Sequence, residues 1–190
     1  MSKDVDEIVV GANGTVWVAP VGTAAPATED ATPGAGWVDL GYTSEEGATF
    51  NDAKTLVTIP VWQLFHPARR IVTERDTTLS FVLRQWSLNT VPFAFGGGTI
   101  DQPDAGGNAD GYRYVPPAPE VITERALMLD WVDGDKDYRL IIARGMVTDG
   151  VETNLVRTGA ADLPITFGVN GSDGVDPWYL LTNDPSFAAA

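Results

Sequence analysis

Along this chain the apolar residues come in short runs broken by Gly, Pro, Asn and Asp, the pattern of many short strands rather than of long helices. Thr15-Val16-Trp17-Val18, closed by Pro20 and Gly22, predicts a first strand. Residues 22–36, holding Pro26, Pro33, Gly34 and Gly36 among Ala and Thr, predict a surface loop. Trp37 to Leu40 restarts the pattern, and Gly41 to Gly47 (GYTSEEG) reads as a turn. Thr77 to Leu83 alternates, with Leu79, Phe81 and Leu83 on one face. Leu127, Leu129 and Trp131 share one parity, Asp133-Gly134-Asp135 makes a turn, and Tyr138, Leu140 and Ile142 alternate again, so the two runs form a hairpin. Val151–Arg157 and Leu163–Val169 predict two more strands, and Trp178–Leu181 a last short strand or a docking tail.

A single short helix is expected over Asn89–Gly96, where Asn89 or Thr90 can cap, Pro92 is tolerated in the first turn, and Gly96-Gly97-Gly98 stops it. Residues 101–119, rich in Asp, Gly and Pro, form a second long loop. Seven or eight strands at this spacing predict a mainly β fold, a two-sheet sandwich or squashed barrel with one flanking helix. A length of 190 residues fits one domain, 1–190, with elaborated loops.

The unusual stretch is Thr49–Thr78, which contains TLVTIPVWQLFHPARRIVTERDTT. Pro60 and Pro67 bar it from being an uninterrupted central strand, yet Val57, Ile59, Val61, Trp62, Leu64 and Phe65 are too apolar for a solvated loop. Two readings follow: an extended arm or hairpin that is buried against a partner, or an edge strand of the protein's own core. Each large side chain exposed in the monomer would bury about 150–250 Å² on association, or roughly 4–6 kcal/mol gross before ordering costs.

Twenty-six acidic against 12 basic residues give a formal charge of −14. Such a field repels phosphate, so nucleic-acid binding by an exposed face is disfavoured, although acidic side chains also simply keep a protein in solution. Without cysteine, the chain has no disulfide, thiolate metal site or cysteine nucleophile. MSKDVDEIVVGANG lacks the basic and apolar blocks of an export signal, and no apolar run approaches the roughly 20 residues of a membrane helix.

Searching for chemistry yields no catalytic constellation. The single histidine, His66, sits between Phe65 and Pro67 without a GxSxG elbow elsewhere, and Gly96–Gly98 follows the helix instead of leading into one as a phosphate cradle must. Asp133, Asp135 and Asp137 superficially resemble a calcium loop, but Tyr138 stands where its glycine belongs and Arg144 where its bidentate acid belongs. Asp104, Asn108 and Asp110 around GGNADG amount to one copy of a β-roll-like repeat, which needs several stacked copies to hold calcium. Glu45 and Glu46, adjacent on a strand, point to opposite faces and do not converge. No cofactor, no metal and no enzymatic activity are expected.

Taken in order, GTVWVAPVGT, GWVDLGYTSEEG, the arm with VWQ and Pro67-Ala68-Arg69-Arg70, TERDTTLSFVLRQW, VPFAFGGG, VTDGVETNLVRTGAADLPITF and DPWYLLTNDP resemble the major tail tube proteins of long-tailed bacteriophages, particularly those infecting actinobacteria. The likeness covers most of the chain, with 22–36 and 101–112 as variable loops. It implies a virion protein with a two-sheet β fold and a flanking helix. Its subunits would form hexameric rings stacked into a hollow tail tube that carries DNA without binding it, next to tail proteins such as the tape measure and the terminator. It also implies a long hairpin arm reaching the neighbouring ring, matched here by 49–78, with an N-terminal arm at about 1–12 and a C-terminal tail at about 176–190. Trp62, Leu64, Phe65, Arg69 and Arg70 are then the inter-ring candidates. Lys54, Arg69 and Arg70 against Asp52 leave the arm locally positive, for pairing with acids of another ring or for solvation alone. Two alternatives stay open: a tail terminator or hub ring, and a β-sandwich surface module that binds a sugar or protein through loops 22–36 and 101–119.

Overall fold

The computed structural model describes residues 5–102 and 111–188. The chain is mainly β. Its strands are β1 (Asn13–Pro20), β2 (Val38–Asp39), β3 (Thr43–Ile59), β4 (Arg69–Leu83), β5 (Thr99–Asp101), β6 (Arg113–Val115), β7 (Arg125–Asp133), β8 (Lys136–Val147), β9 (Leu163–Val169) and β10 (Trp178–Thr182), with one helix, α1 (Thr90–Ala94), after β4. Every named pair is antiparallel. The large sheet runs β2-β1-β7-β8-β9-β4-β3, with β10 also on β8, and β5 and β6 make a small second sheet.

Strand β8 turns the large sheet into two layers. Its first half, Tyr138–Ile142, pairs with β10 and β7, whereas Gly145–Val147 pairs with β9. Between the two, the register with β7 slips so that Ala143 and Arg144 form a bulge, the device that bends a strand from one layer into another. Gly145 sits at the corner, where a Cβ would run into the Gly168 carbonyl and the Phe167 ring. The facing layers enclose one core of Val16, Val18, Leu40, Leu127, Leu140 and Ile142 from the first and Leu79, Phe81, Leu83, Leu163, Ile165 and Phe167 from the second. These are the inward positions that period-two alternation predicts.

Helix α1 plugs one end of that core. Phe93 stacks near Phe81 at 6.5 Å and Phe167 at 6.1 Å. Its N-terminus is capped by neither Asn89 nor a simple Thr90 cap: the Ser87 hydroxyl accepts from the Asn89 and Thr90 amides, and Thr90 Oγ1 accepts in return from Ser87 N at 2.8 Å. The glycine stop is as expected, since Gly96, Gly97 and Gly98 all take positive φ.

Several expected elements differ. Val151–Arg157 is not a strand: Val151, Leu155 and Val156 do not alternate, Leu155 and Val156 face solvent, and no neighbouring strand edge is paired to them. Thr43–Gly47, read as part of a turn, belongs to β3 and forms a wide irregularity between the Thr43 and Ala48 pairings. The 101–119 loop is narrower than expected, because Asp101 and Arg113 close the β5–β6 pair with a 2.6 Å ion pair. The 22–36 segment is more than a solvated loop, for it covers the outer face of β7 and β8. There Trp37 packs with Ala19, Ala126, Met128 and Ile141, and Arg139, almost fully buried, donates to the carbonyls of Thr28 and Ala31 while pairing with Asp130 at 2.7 Å.

Candidate assembly surface

The arm is a two-stranded ribbon. Strand β4 pairs with β9 only from Thr78 to Leu83, so beyond Thr78 it has β3 alone for a partner, and the two strands project together to a tip at residues 60–68. Pro60 and Pro67 both lie in that tip, where neither has to donate to the ladder, and Ala68 N returns to Ile59 O at 3.0 Å. At about 3.4 Å per residue, the paired stretch from Asn51 to Ile59 carries the tip roughly 27 Å from the body. Of the two readings of Thr49–Thr78, the edge strand of the protein's own core gives way to the projecting hairpin.

Cross-strand register decides which side chains share a face. Leu56 faces Val72 on one side of the ribbon, while Val57 faces Ile71, with Ile59 beyond it, on the other. All five are exposed, so the ribbon is apolar on both faces in its outer half. At the tip, Trp62 is 98 % and Phe65 108 % exposed, values at which a ring touches almost nothing of its own chain, and Leu64 is 58 % exposed. Arg69 and Arg70, opposite Ile59 and Thr58, are exposed too, and among the described residues neither enters a salt bridge. The structure thus brings Trp62, Leu64, Phe65, Arg69 and Arg70 together at one end of the arm. Sequence reading passed over Leu56, Ile71 and Val72, whose signal emerges only once the two strands are aligned.

The root of the arm is braced. Arg75 donates to Asp52 from Nε at 2.6 Å and Nη2 at 2.8 Å, and Thr77 Oγ1 donates to the same carboxylate at 2.8 Å. The Arg75 bonds, with the Thr77 hydroxyl second, hold the Asp52 carboxyl down at about 2. Lys54, counted with the free cations of the arm, lies directly across from Arg75.

Beside that root an open groove of about 480 Å³ lies between β3 of the second layer and β1, β7, β8 and β10 of the first. Val16, Phe50, Leu129, Trp131, Leu140, Trp178 and Leu180 make it apolar, and Glu46 stands among its lining residues. Phe50 meets Trp178 edge-on at 4.9 Å, and Trp131 stacks on Tyr138 at 5.2 Å.

The other candidates fall apart in space or lie elsewhere. His66 is exposed at the arm tip. Asp133 accepts the Val10 amide at 2.8 Å, and Asp137 is tied to Asn183, so the DGD turn is spent on structure. Asp104, Asn108 and Asp110 lie outside the described residues. Among the described residues no three His, Cys, Asp or Glu side chains gather as metal ligands, and no helix is long and apolar enough to cross a membrane.

A two-layer antiparallel body that projects a long apolar ribbon defines a β-sandwich structural protein. The chain belongs to a phage tail tube family: the family model described as "Phage tail tube protein" matches residues 1–190. It is a structural component of the virion tail. No curated protein sequence matches it.

Proposed function

We propose that this protein forms hexameric rings that stack, arm to body, into the hollow tube along which phage DNA passes, with no catalytic step and no cofactor. In this reading residues 1–190 act as one unit. The arm at 49–78 is the stacking element, and Trp62, Leu64, Phe65, Arg69 and Arg70 are its contacts with the next ring. The ends of the tube meet other tail proteins, among them a terminator and a tape measure.

The observation that carries this reading is the ribbon, apolar on both faces and ending in Trp62 and Phe65 fully in water. An isolated two-stranded hairpin is marginal in water, and monomers do not display such surface without a partner for it. An arm tip that docks on the body of another copy either exchanges reciprocally about a twofold or passes its contact on to a further copy, and stacking is the second case. The contact is then heterologous, and repeats along an axis unless it closes. The charge of −14 supports passage of DNA without adhesion, because an acidic wall repels phosphate.

Negative-stain electron microscopy across a concentration series tests it. Long hollow tubes with sixfold end-on views are expected. Isolated rings would replace this reading with a terminator or hub, and a monomer at every concentration would defeat it.

A further inference from the structure

The groove at the arm's root is open and, among the described residues, walled on its sides by β1, β3, β7, β8 and β10. Counted along the ribbon from Phe50 to Trp62 at about 3.3 Å per residue, the tip lies roughly 30–40 Å away, so a paired, extended arm cannot fold back into it. Both ends of the ribbon therefore carry half of an interface. The tip offers Trp62, Leu64 and Phe65 with two unpaired arginines, and the root offers an aromatic-walled slot with exposed Glu46 in its lining. Among the described residues, none of Glu46, Arg69 and Arg70 enters a salt bridge, leaving charges of opposite sign uncompensated at opposite ends.

We propose that the groove is the socket for the arm tip of a second copy of this chain. Trp62 and Phe65 pack into the groove against Phe50, Trp131 and Trp178, and one of Arg69 and Arg70, which lie on opposite faces of the ribbon, reaches Glu46. This deepens the stacking reading and rests on it. A volume of about 480 Å³ falls within the roughly 300–1,000 Å³ of pockets that take drug-sized ligands, room for two aromatic rings. The edges and faces of Trp131, Phe50 and Trp178 suit aromatic partners, which prefer offset or edge-on packing. Because socket and plug sit at opposite ends of one arm, each copy gives a tip forward and receives one behind. The step between copies is then set by the arm's length, and the chain of contacts grows open-ended.

Two full-length variants and their mixture test it. Ala48→Trp fills the socket from β3, and the double change Trp62→Ser with Phe65→Ser removes the plug. Each alone should shorten tubes at least about tenfold with an unchanged monomer melting temperature, as loss of a central aromatic anchor does. Mixed, one variant has an intact tip and the other an open groove, so a single junction forms between them and growth stops at pairs of units. Should Ala48→Trp lower the monomer's melting temperature, the exposed Glu46→Arg replaces it. That change is expected to shorten tubes, and Arg69→Glu with Arg70→Glu in the same chain to restore them. Wild-type tubes alongside equally long Ala48→Trp tubes, a mixture without paired units, or no charge-swap rescue would overturn the socket, leaving the groove to another occupant such as the N-terminal segment. A wild-type protein that never polymerises would instead overturn the stacking reading, and the socket with it.

Discussion

Asp52 and Arg75 grip each other across the foot of the arm without being directly opposed: Asp52 faces Thr77 and Lys54 faces Arg75, so the two-bonded ion pair runs diagonally between strands. It sits just beyond Thr78, where β4 loses β9 as a neighbour and the ribbon must hold its own register. A one-residue slip of β4 there would turn its side chains over, placing Ile71 opposite Leu56 and moving Val72 to the other face.

Acid should release this clamp. Hydrogen bonds from Arg75 and Thr77 lower the Asp52 carboxyl from 3.8 to about 2. A folded-state value below the unfolded one gives a contribution that is fully present above about pH 3.8 and lost as pH falls through about 2. Protection factors of the amides across residues 53–76, taken relative to the slower intrinsic exchange in acid, are expected to fall over that window in the wild type. In Asp52→Asn they should already be low at pH 7 and show no step, with the body's exchange unchanged. Hydrogen exchange with mass spectrometry reads both, and equal protection in the two proteins at neutral pH would remove the clamp from the account.

Removing the tip's rings should stop polymerisation and spare the fold. Trp62 and Phe65 make no use of the monomer's core, so Trp62→Ser or Phe65→Ser should leave thermal unfolding within about 0.5 kcal/mol of wild type. A buried aromatic anchor contributes about 2 kcal/mol or more to an interface, so each change is expected to raise the concentration needed for tubes on the order of 30-fold. Light scattering against concentration, paired with calorimetry, separates the two effects. Tubes forming at the wild-type concentration would take the tip out of the interface.

Strands whose inward residues alternate are legible in the sequence: Leu79-Phe81-Leu83 and Leu163-Ile165-Phe167 meet in the core as their parity requires. The arm was legible because Pro60 and Pro67 bracket large apolar residues that no solvated loop needs. What stayed hidden depends on pairing across distance. Leu56 and Val72 become one face only in the bulged register, which leaves Thr73 unpaired opposite the Thr55–Leu56 step. The groove draws on β1, β3, β7, β8 and β10, and no local spacing joins Phe50 to Trp178. Arg139, one charge in an alternating strand, carries no local sign that its face is covered by a segment more than a hundred residues earlier.

That covering makes Arg139 a structural residue, and truncating it should be expensive. It is 4 % exposed and holds Asp130 together with two backbone carbonyls of the 22–36 segment. Arg139→Met would leave those three acceptors unpaired under the loop, a loss of about 3 kcal/mol by analogy with other broken buried ion pairs. Arg139→Lys should rescue little, since one ammonium cannot span the guanidinium's fork. Urea unfolding is expected to show a lower midpoint at an unchanged slope, and earlier protease cleavage within residues 22–36. A midpoint within error of wild type would mean that the loop's cover is held by Trp37 and its neighbours alone.

The corner of β8 offers the sharpest test of the fold itself. Gly145 lies where one strand leaves the first layer for the second, flanked by Arg125 of β7 and Val169 of β9. A methyl group there would meet the Gly168 carbonyl, which is backbone and cannot swing aside, and the ring of Phe167, which is already packed near Phe93 at 6.1 Å. Gly145→Ala should therefore cost about 1–3 kcal/mol, the range for an overpacked core, although alanine normally favours order over glycine. Gly150→Ala is the matched control, because nothing lies within 4 Å of the Cβ it would add, and it is expected to stay within about 0.5 kcal/mol of wild type. Since the corner is remote from the arm's tip, tubes of Gly145→Ala should regain wild-type length at temperatures well below its melting point. If Gly145→Ala and Gly150→Ala unfold at the same denaturant concentration, the two layers are not joined through a steric corner at Gly145, and the bulge at Ala143 and Arg144 alone must bend the strand.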